Sequence, residues 1–374
     1  MKILVTGALG FIGKNLIAEL KNRGYNDIYE VDVNTSMEEL IKYCSDAEFV
    51  FHLAGVNRPE NEKEFMEGNF GFTSVLLDNL KKSENKAPVL ITSSTQATLD
   101  NAYGKSKKAG EDLLFEYGRS TGTKVFVYRL TNVFGKWSRP NYNSAVATFC
   151  NNIAAGLPIK VNDPSVVMRL IYIDDVVNEF IAAMNDKANI VDGFGTVPVE
   201  HVVELGKIAE LIYSFKESRE NLSLPDFSNE FEKKLYSTYL SFLPKDEFAY
   251  NLNIRADERG SFTEFLRTEN RGQVSVNISK PGITKGNHWH HTKNEKFLVV
   301  SGEAEIAFRK VGEKEVIKYH VSGEEMKVVD IPCGYTHSIE NVGNVDLVTV
   351  MWVNEPFNPD KADTYYESVV VNDK

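Results

Sequence analysis

Tyr103 and Lys107 stand four positions apart in YGKSKKAGEDLLFEYG, a stretch of helical texture. That spacing puts a phenol and an ammonium on one helix face. A free phenol titrates near pH ~10, and an adjacent ammonium lowers that value so that the group exchanges protons near neutrality. Upstream, Thr92-Ser93-Ser94-Thr95 closes a short apolar run, where a hydroxyl can hold a substrate oxygen against the tyrosine. Near the N-terminus, TGALGFIGKNLIAEL carries Gly7, Gly10 and Gly13 between a β-rich run and a helix-length segment. Glycines so placed permit a tight turn and close approach of backbone to a pyrophosphate, whose charge meets the positive end of the helix. Asp32 ends the next apolar run, where a carboxylate bonds a ribose 2′-hydroxyl and repels a 2′-phosphate. Lys14 counterbalances it, so the residues leave both NAD(H) and NADP(H) open. Glycine loop, strand-end hydroxyl and Tyr–Lys helix follow in that order, and their conjunction carries more than any one of them.

A second constellation lies near the C-terminus, where five of the seven histidines fall after residue 287. Gly282-x5-His288-x-His290-x4-Glu295-x6-Gly302 is followed by Pro332-x-Gly334-x2-His337-x3-Asn341. Histidines at i and i+2 share one face of a strand. A carboxylate one hairpin later and a third histidine on a distant strand then close a mixed N/O ligand set for one divalent metal. Zinc is expected, with manganese, iron and nickel open because ligand type does not separate them.

Two kinds of texture must position these groups. To about residue 190, Lys2–Thr6, Ile28–Val31, Phe49–Leu53, Val89–Thr92 and Val125–Arg129 read as buried strands separated by helix-length segments, the pattern of an α/β, doubly wound parallel sheet. Residues from about 199 to 242, including HVVELGKIAELIYSF and FEKKLYSTYLSFL, read as helical up to Pro244. Beyond it, QVSVNIS, KFLVVSG, AEIAFRK, VIKYHVSG, MKVVDIP and DLVTVMWV are short, β-branched and separated by Gly, Pro, Asn or Asp. They predict an all-β sandwich or barrel. The expected domains are 1–245 and 246–374. With 42 basic against 53 acidic side chains the formal charge is −11, which argues against non-specific nucleic-acid binding. No apolar run approaches membrane-spanning length, and MKILVTG reads as a strand. Cys44, Cys150 and Cys333 imply no disulfide framework. The expectation is a cytoplasmic enzyme.

Residues 1–243 resemble the extended short-chain dehydrogenase/reductases that act on nucleotide sugars. The matching pieces are TGALGFIG, HLAG (52–55), Asn69 in EGNFGFT, TSS (92–94), YGKSK (103–107), RLTNVFG (129–135) and MRLIYIDDVV (168–177). The resemblance implies Ser94, Tyr103 and Lys107 as the catalytic set, with Thr95 as the alternative hydroxyl. It implies a Rossmann coenzyme site built from Gly7, Gly10, Phe11, Ile12 and Gly13, with Asp32, Leu53, Ala54, Tyr103 and Lys107, and favours NADP(H). Arg129, Asn132 and Arg169 would stand on the nucleotide-sugar side. One departure is that Tyr103 follows Ser94 by only nine positions, fewer than is usual in the family.

The histidine-rich stretches resemble both cupin motifs, which carries the ligand roles to His288, His290, Glu295 and His337. In the second motif the leading glycine is displaced: Gly323 lies too far upstream and Met326 takes its place. DERGSFTEFLR (257–267) with KGNHWH (285–290) also resembles keto-sugar 3,5-epimerases built on cupin barrels, which lack metal and use the corresponding histidine as base. His288 is therefore open between ligand and base, with His320, Tyr335 and Lys296 as further bases. A nucleotide-sugar reductase followed by a cupin barrel resembles the bifunctional capsule-synthesis enzymes of CapF type, in the UDP-N-acetyl-L-fucosamine pathway. The resemblance implies C3 epimerisation of a UDP-2-acetamido-2,6-dideoxy-4-hexulose in the barrel and NADPH reduction at C4 in the N-terminal domain. The product would be a UDP-2-acetamido-2,6-dideoxy-L-talose, and the enzyme a homodimer paired through the cupin. The alternatives are a single-function 4-reductase or 4-epimerase whose cupin only dimerises, and a sensor that binds the sugar nucleotide without turnover.

Overall fold

Ile3 and Val5, Phe49 and Phe51, Leu90, Phe126 and Tyr128 pack into one buried cluster. The residues between them, Leu4, Val50, Val89, Ile91 and Val127, pack into another. This period of two is what strands covered on both faces require. They are β1 (Ile3–Thr6), β3 (Phe49–His52), β4 (Val89–Ser94) and β5 (Val125–Leu130), joined by β2 (Ile28–Val31) in a parallel sheet of order β2-β1-β3-β4-β5. Helices Phe11–Asn22 and Ile173–Met184 cover the first face; Met37–Asp46, Phe72–Lys82 and Ala102–Thr121 cover the second. The chain leaves β1 in one direction for β2 and in the other for β3. The topological switch point, and the ligand crevice it opens, therefore lies at the carboxyl ends of β1 and β3.

Further strands extend this unit: β6 (Asn132–Phe134), β7 (Val167–Tyr172), β8 (Ile190–Val191), β9 (Phe194–Gly195) and β10 (His201–Glu204). β10 corrects the sequence reading, which made HVVE the start of a helix. His201 to Glu204 pair antiparallel with β7, because β-branched Val202 and Val203 suit an open sheet edge better than a helical turn. The helix begins only at Leu205.

The structure describes residues 1–268 and 270–370 of this computed structural model. The chain forms two units, Met1–Ser214 with Asp226–Lys245, and Phe215–Pro225 with the chain from Asp246. Phe215–Pro225 joins the second unit through local bonds: Arg267 N–H donates to the Leu222 carbonyl at 2.7 Å, and the Arg219 guanidinium lies 4.7 Å from the Tyr250 ring centroid. The sequence reading had kept this segment in the first domain.

The second unit is all antiparallel. Strands β11 (Ile254–Asp257), β12 (Gly260–Thr268), β13 (Gly272–Ser279), β14 (Thr284–Trp289), β15 (Glu295–Ser301), β16 (Glu303–Lys310), β17 (Val316–Ser322), β18 (Val328–Ile331), β19 (Tyr335–Asn341), β20 (Leu347–Val353) and β21 (Tyr365–Tyr366) form two sheets. Their orders are β11-β12-β13-β20-β15-β18 and β17-β16-β19-β14-β21. Phe297, Val299, Ile306, Phe308 and Ile339 fill the core from both sheets. Among the described residues no helix is long and apolar enough to cross a membrane.

Candidate functional site

The first site is a cleft of about 620 Å³ at the switch point, lined by the glycine loop, Leu53, Ser94, Tyr103, Lys107 and the chain around Asn132 to Ser144. Gly7 sits at φ +68°, and a Cβ there would lie 2.8 Å from the Ala54 nitrogen; a Cβ on Gly13 would lie 2.2 Å from the Gly7 carbonyl oxygen. Only glycine permits that loop. Helix Phe11–Asn22 starts at Gly10 with no side-chain cap and no acidic residue in its first turn, which leaves its N–H groups and dipole to an anion.

Asp32 is placed differently from its expected role. One carboxylate oxygen accepts the Leu9 N–H at 2.7 Å, the other the Val33 N–H at 2.9 Å. Asp32 thus ties the glycine loop to β2 and does not line the cleft, whereas Lys14 does. Ala54 packs under Gly7, its N–H donating to Thr6 Oγ1 at 3.3 Å.

Ser94 ends β4, and its hydroxyl hydrogen-bonds Tyr103. Ser93 also lines the cleft, with its hydroxyl donating to the buried Glu111 carboxylate at 2.6 Å. The short spacing between Ser94 and Tyr103 is closed by a 3-10 turn, Thr95–Thr98, and by Asn101, whose side chain caps the next helix at Gly104 N–H, 2.7 Å away. Burial raises the Tyr103 pKa above the ordinary phenol value, and the Ser94 bond opposes it. The expected lowering by Lys107 is corrected here: its Nζ lies 6.0 Å from the Tyr103 ring centroid and donates to the Thr92 carbonyl at 3.3 Å. Burial brings the Lys107 ammonium itself down to about 8, against the pull of Glu111.

Asn132 lines the cleft, but Arg129 and Arg169 do not. Arg129 donates two hydrogen bonds to Glu111, at 2.9 and 2.6 Å, and its guanidinium lies 3.8 Å from the Phe194 ring centroid. A charge so committed serves a buried carboxylate, not a ligand. Arg169 pairs with Glu200. The arginine that does line the cleft is Arg139, stacked 5.0 Å from the Tyr142 ring centroid. The loop that carries it is strained, with Trp137 at φ +67° and Asn141 at φ +56°. Sequence reasoning missed Arg139, although KWSRPNYN follows directly on RLTNVFG.

The second site lies between the two antiparallel sheets. His288 on β14 stands in register with His337 on β19, their ring centroids 4.6 Å apart. His290 follows β14, 5.0 Å from His288 and 5.4 Å from His337. Glu295 opens β15 in the opposite sheet. One donor atom from each of the four lies within 4.8 Å of the others. His290 Nε2, Glu295 Oε2 and both His337 ring nitrogens are buried without a hydrogen-bond partner. Orphaned atoms of this kind cost ~1–3 kcal/mol each, and a divalent cation is the group their lone pairs suit. His290 Nδ1 meets the Asp363 carbonyl at 2.6 Å, which places the proton on Nδ1 and turns the Nε2 lone pair to the cluster. The Asp363 carboxylate accepts the N–H groups of His291, Thr292 and Lys293 at 3.0, 2.9 and 2.9 Å. Those bonds hold its carboxyl well below the usual carboxylate range. No periodicity marks Asp363, which acts from far along the chain.

His288, Glu295 and His337 line a cavity of about 440 Å³ with Lys285, Asp257, Arg259 and Phe262. The further bases expected from sequence lie elsewhere. His320 and Lys296 are exposed and paired with Glu305 and Asp330, and Tyr335 packs against the core. None of the three lines the cavity.

Residues 3–194 match the NAD dependent epimerase/dehydratase family, and residues 255–365 match the polysaccharide biosynthesis C-terminal domain. The chain belongs to the NAD-dependent epimerase/dehydratase family. It is 44% identical over 369 residues, 99% of each chain, to a UDP-2-acetamido-2,6-beta-L-arabino-hexul-4-ose reductase of Pseudomonas aeruginosa. The capsular polysaccharide assembling protein CapF of Staphylococcus aureus superposes with a TM-score of 0.94 at 54% identity, covering 99% of this chain and 100% of that one. Another CapF structure, holding the inhibitor 3-isopropenyl-tropolone, gives 0.90 at 50% identity over 99% and 100%. Within the family the chain is therefore of CapF type, a nicotinamide-dependent unit followed by an all-β one.

Proposed function

We propose that this chain is a bifunctional UDP-sugar enzyme of capsule synthesis. The β-barrel unit epimerises C3 of a UDP-2-acetamido-2,6-dideoxy-4-hexulose, and the N-terminal unit reduces the C4 ketone to a UDP-2-acetamido-2,6-dideoxy-L-talose. The observation that carries the reduction is Ser94 bonded to Tyr103 on the cleft floor, with Lys107 on the same helix. The coenzyme, when bound, supplies the hydride. Tyr103, kept a phenol by burial, gives its proton to the C4 oxygen as that oxygen gains charge, and Ser94 holds the oxygen in line. Lys107 holds the nicotinamide ribose, and Arg139 faces the diphosphate.

NADPH is the proposed coenzyme. Lys14 faces the cleft while both Asp32 oxygens are taken by loop N–H groups, so repulsion of a 2′-phosphate is blunted. Comparing kcat/KM for NADPH and NADH tests this; a preference for NADH overturns it.

In the barrel, His288, His290, Glu295 and His337 would hold one divalent cation, zinc by preference. Such an ion supplies a Lewis acid that stabilises charge on a ketone oxygen. The C3 proton, next to the C4 ketone, is acidic enough for a side-chain base. We also place the dimer interface on this unit. Absorbance at the nicotinamide band, followed with NADPH and the 4-keto UDP-sugar, tests the assignment as a whole: no oxidation rejects both the reductase and the order of steps.

A further inference from the structure

His288 is claimed by the ligand cluster, which leaves open what moves the C3 proton. The cavity of about 440 Å³ beside the cluster has few other groups able to do so. Arg255 and Arg259 offer guanidinium donors and no basic lone pair. Asp257 accepts two bonds from the Arg259 side chain and one from its N–H, and these hold its carboxyl below the usual range. It is a carboxylate already spent on its neighbour.

Lys285 remains. It lies on β14, three positions before His288, half-buried in the cavity wall. Its Nζ donates to Asn277 Oδ1 at 2.8 Å and to the Ile278 carbonyl at 2.9 Å. Two fixed acceptors engage two N–H groups and leave one tetrahedral position of the nitrogen for a proton or a lone pair. Burial lowers the ammonium pKa, with Arg259 adding to that effect and Asp257 opposing it.

We propose that Lys285 is the catalytic base of the barrel, removing the C3 proton of the 4-keto sugar. The proposal rests on the epimerase reading above. Neutral Nζ takes the proton, the C3–H electron pair enters the C3–C4 bond, and the C4 oxygen becomes an enolate. Solvent returns a proton to the opposite face of C3, and Lys285 gives its own to water. No oxidant or reductant is consumed, and Asn277 holds the amine on one face.

The test uses the full-length, metal-loaded protein in D₂O without coenzyme, reading loss of the C3 proton signal of the UDP-2-acetamido-2,6-dideoxy-4-hexulose by NMR. Wild type should exchange, and Lys285→Ala should lose ~10²-fold or more with metal content and melting temperature kept. Ethylamine should restore exchange in that variant and leave wild type unmoved, as only a missing base can be replaced from solution. Exchange by Lys285→Ala within roughly threefold of wild type, or a loss no amine repairs, overturns the proposal while the barrel remains an epimerase. Absence of exchange in wild type removes the epimerase reading and the proposal with it.

Discussion

In the proposed reduction Tyr103 has to remain a phenol until the C4 oxygen can receive its proton, and burial, which raises its pKa, favours that form. Tyr103→Phe should therefore lower the turnover of reduction by ~10²-fold or more while coenzyme binding, measured by fluorescence titration, stays near wild type. Near-normal turnover would remove the acid role. Lys107 gives a second test, through stability. Its pKa is about 8 when folded, against the ordinary lysine value of 10.5. Below pH 8 both states carry the proton, and the folded state bears the whole cost of burying it. From about pH 8 to 10.5 the folded state sheds the proton first, so the group's contribution to stability rises with pH. Wild type minus Lys107→Met should climb across that window, by on the order of 3 kcal/mol at most, in urea unfolding. A flat difference would show an ammonium that is not desolvated. Most of the cleft's lining was legible in the residues, because a glycine loop and an i,i+4 pair need only local spacing. The partners of Arg129 and Arg169 were not, since Glu111 and Glu200 reach them only through the fold.

At the level of elements, β-strand pairing decides what the sequence left ambiguous. HVVE carries a helical spacing of apolar residues, yet the open edge of β7 takes it as a strand, a competition no local pattern resolves. The histidines were easier, because alternate residues of a strand must share a face and His288 and His290 do. Their partner Asp363, which fixes the turn after β14, had no signal at all. Glu295 and His337 sit on strands of opposite sheets. Glu295→Ala or His337→Ala should each drop bound metal, by elemental analysis, to well under a tenth of the chain (a rough threshold against full occupancy). Each should also lower the melting temperature of the barrel. Wild-type protein purified without metal would refute the site outright.

Across the whole molecule, the proposal assigns one half-reaction to each unit, so full-length variants should separate them. Tyr103→Phe should still exchange the C3 proton in D₂O although it oxidises no NADPH, and a joint loss would argue against two independent catalysts. The placement of the four ligands has a further consequence. An ion held by the four proposed ligands would be bonded to both sheets and bound only by the folded barrel, so its chemical potential would enter the folding equilibrium by mass action. At a free concentration of about 100 times Kd it adds ~2.7 kcal/mol, and each tenfold change beyond that adds ~1.4 kcal/mol more. The melting temperature should then follow the logarithm of buffered free zinc and stop responding once a ligand is removed. On those terms the proposed site would make the barrel a gauge of metal supply, its stability rising and falling with the free ion.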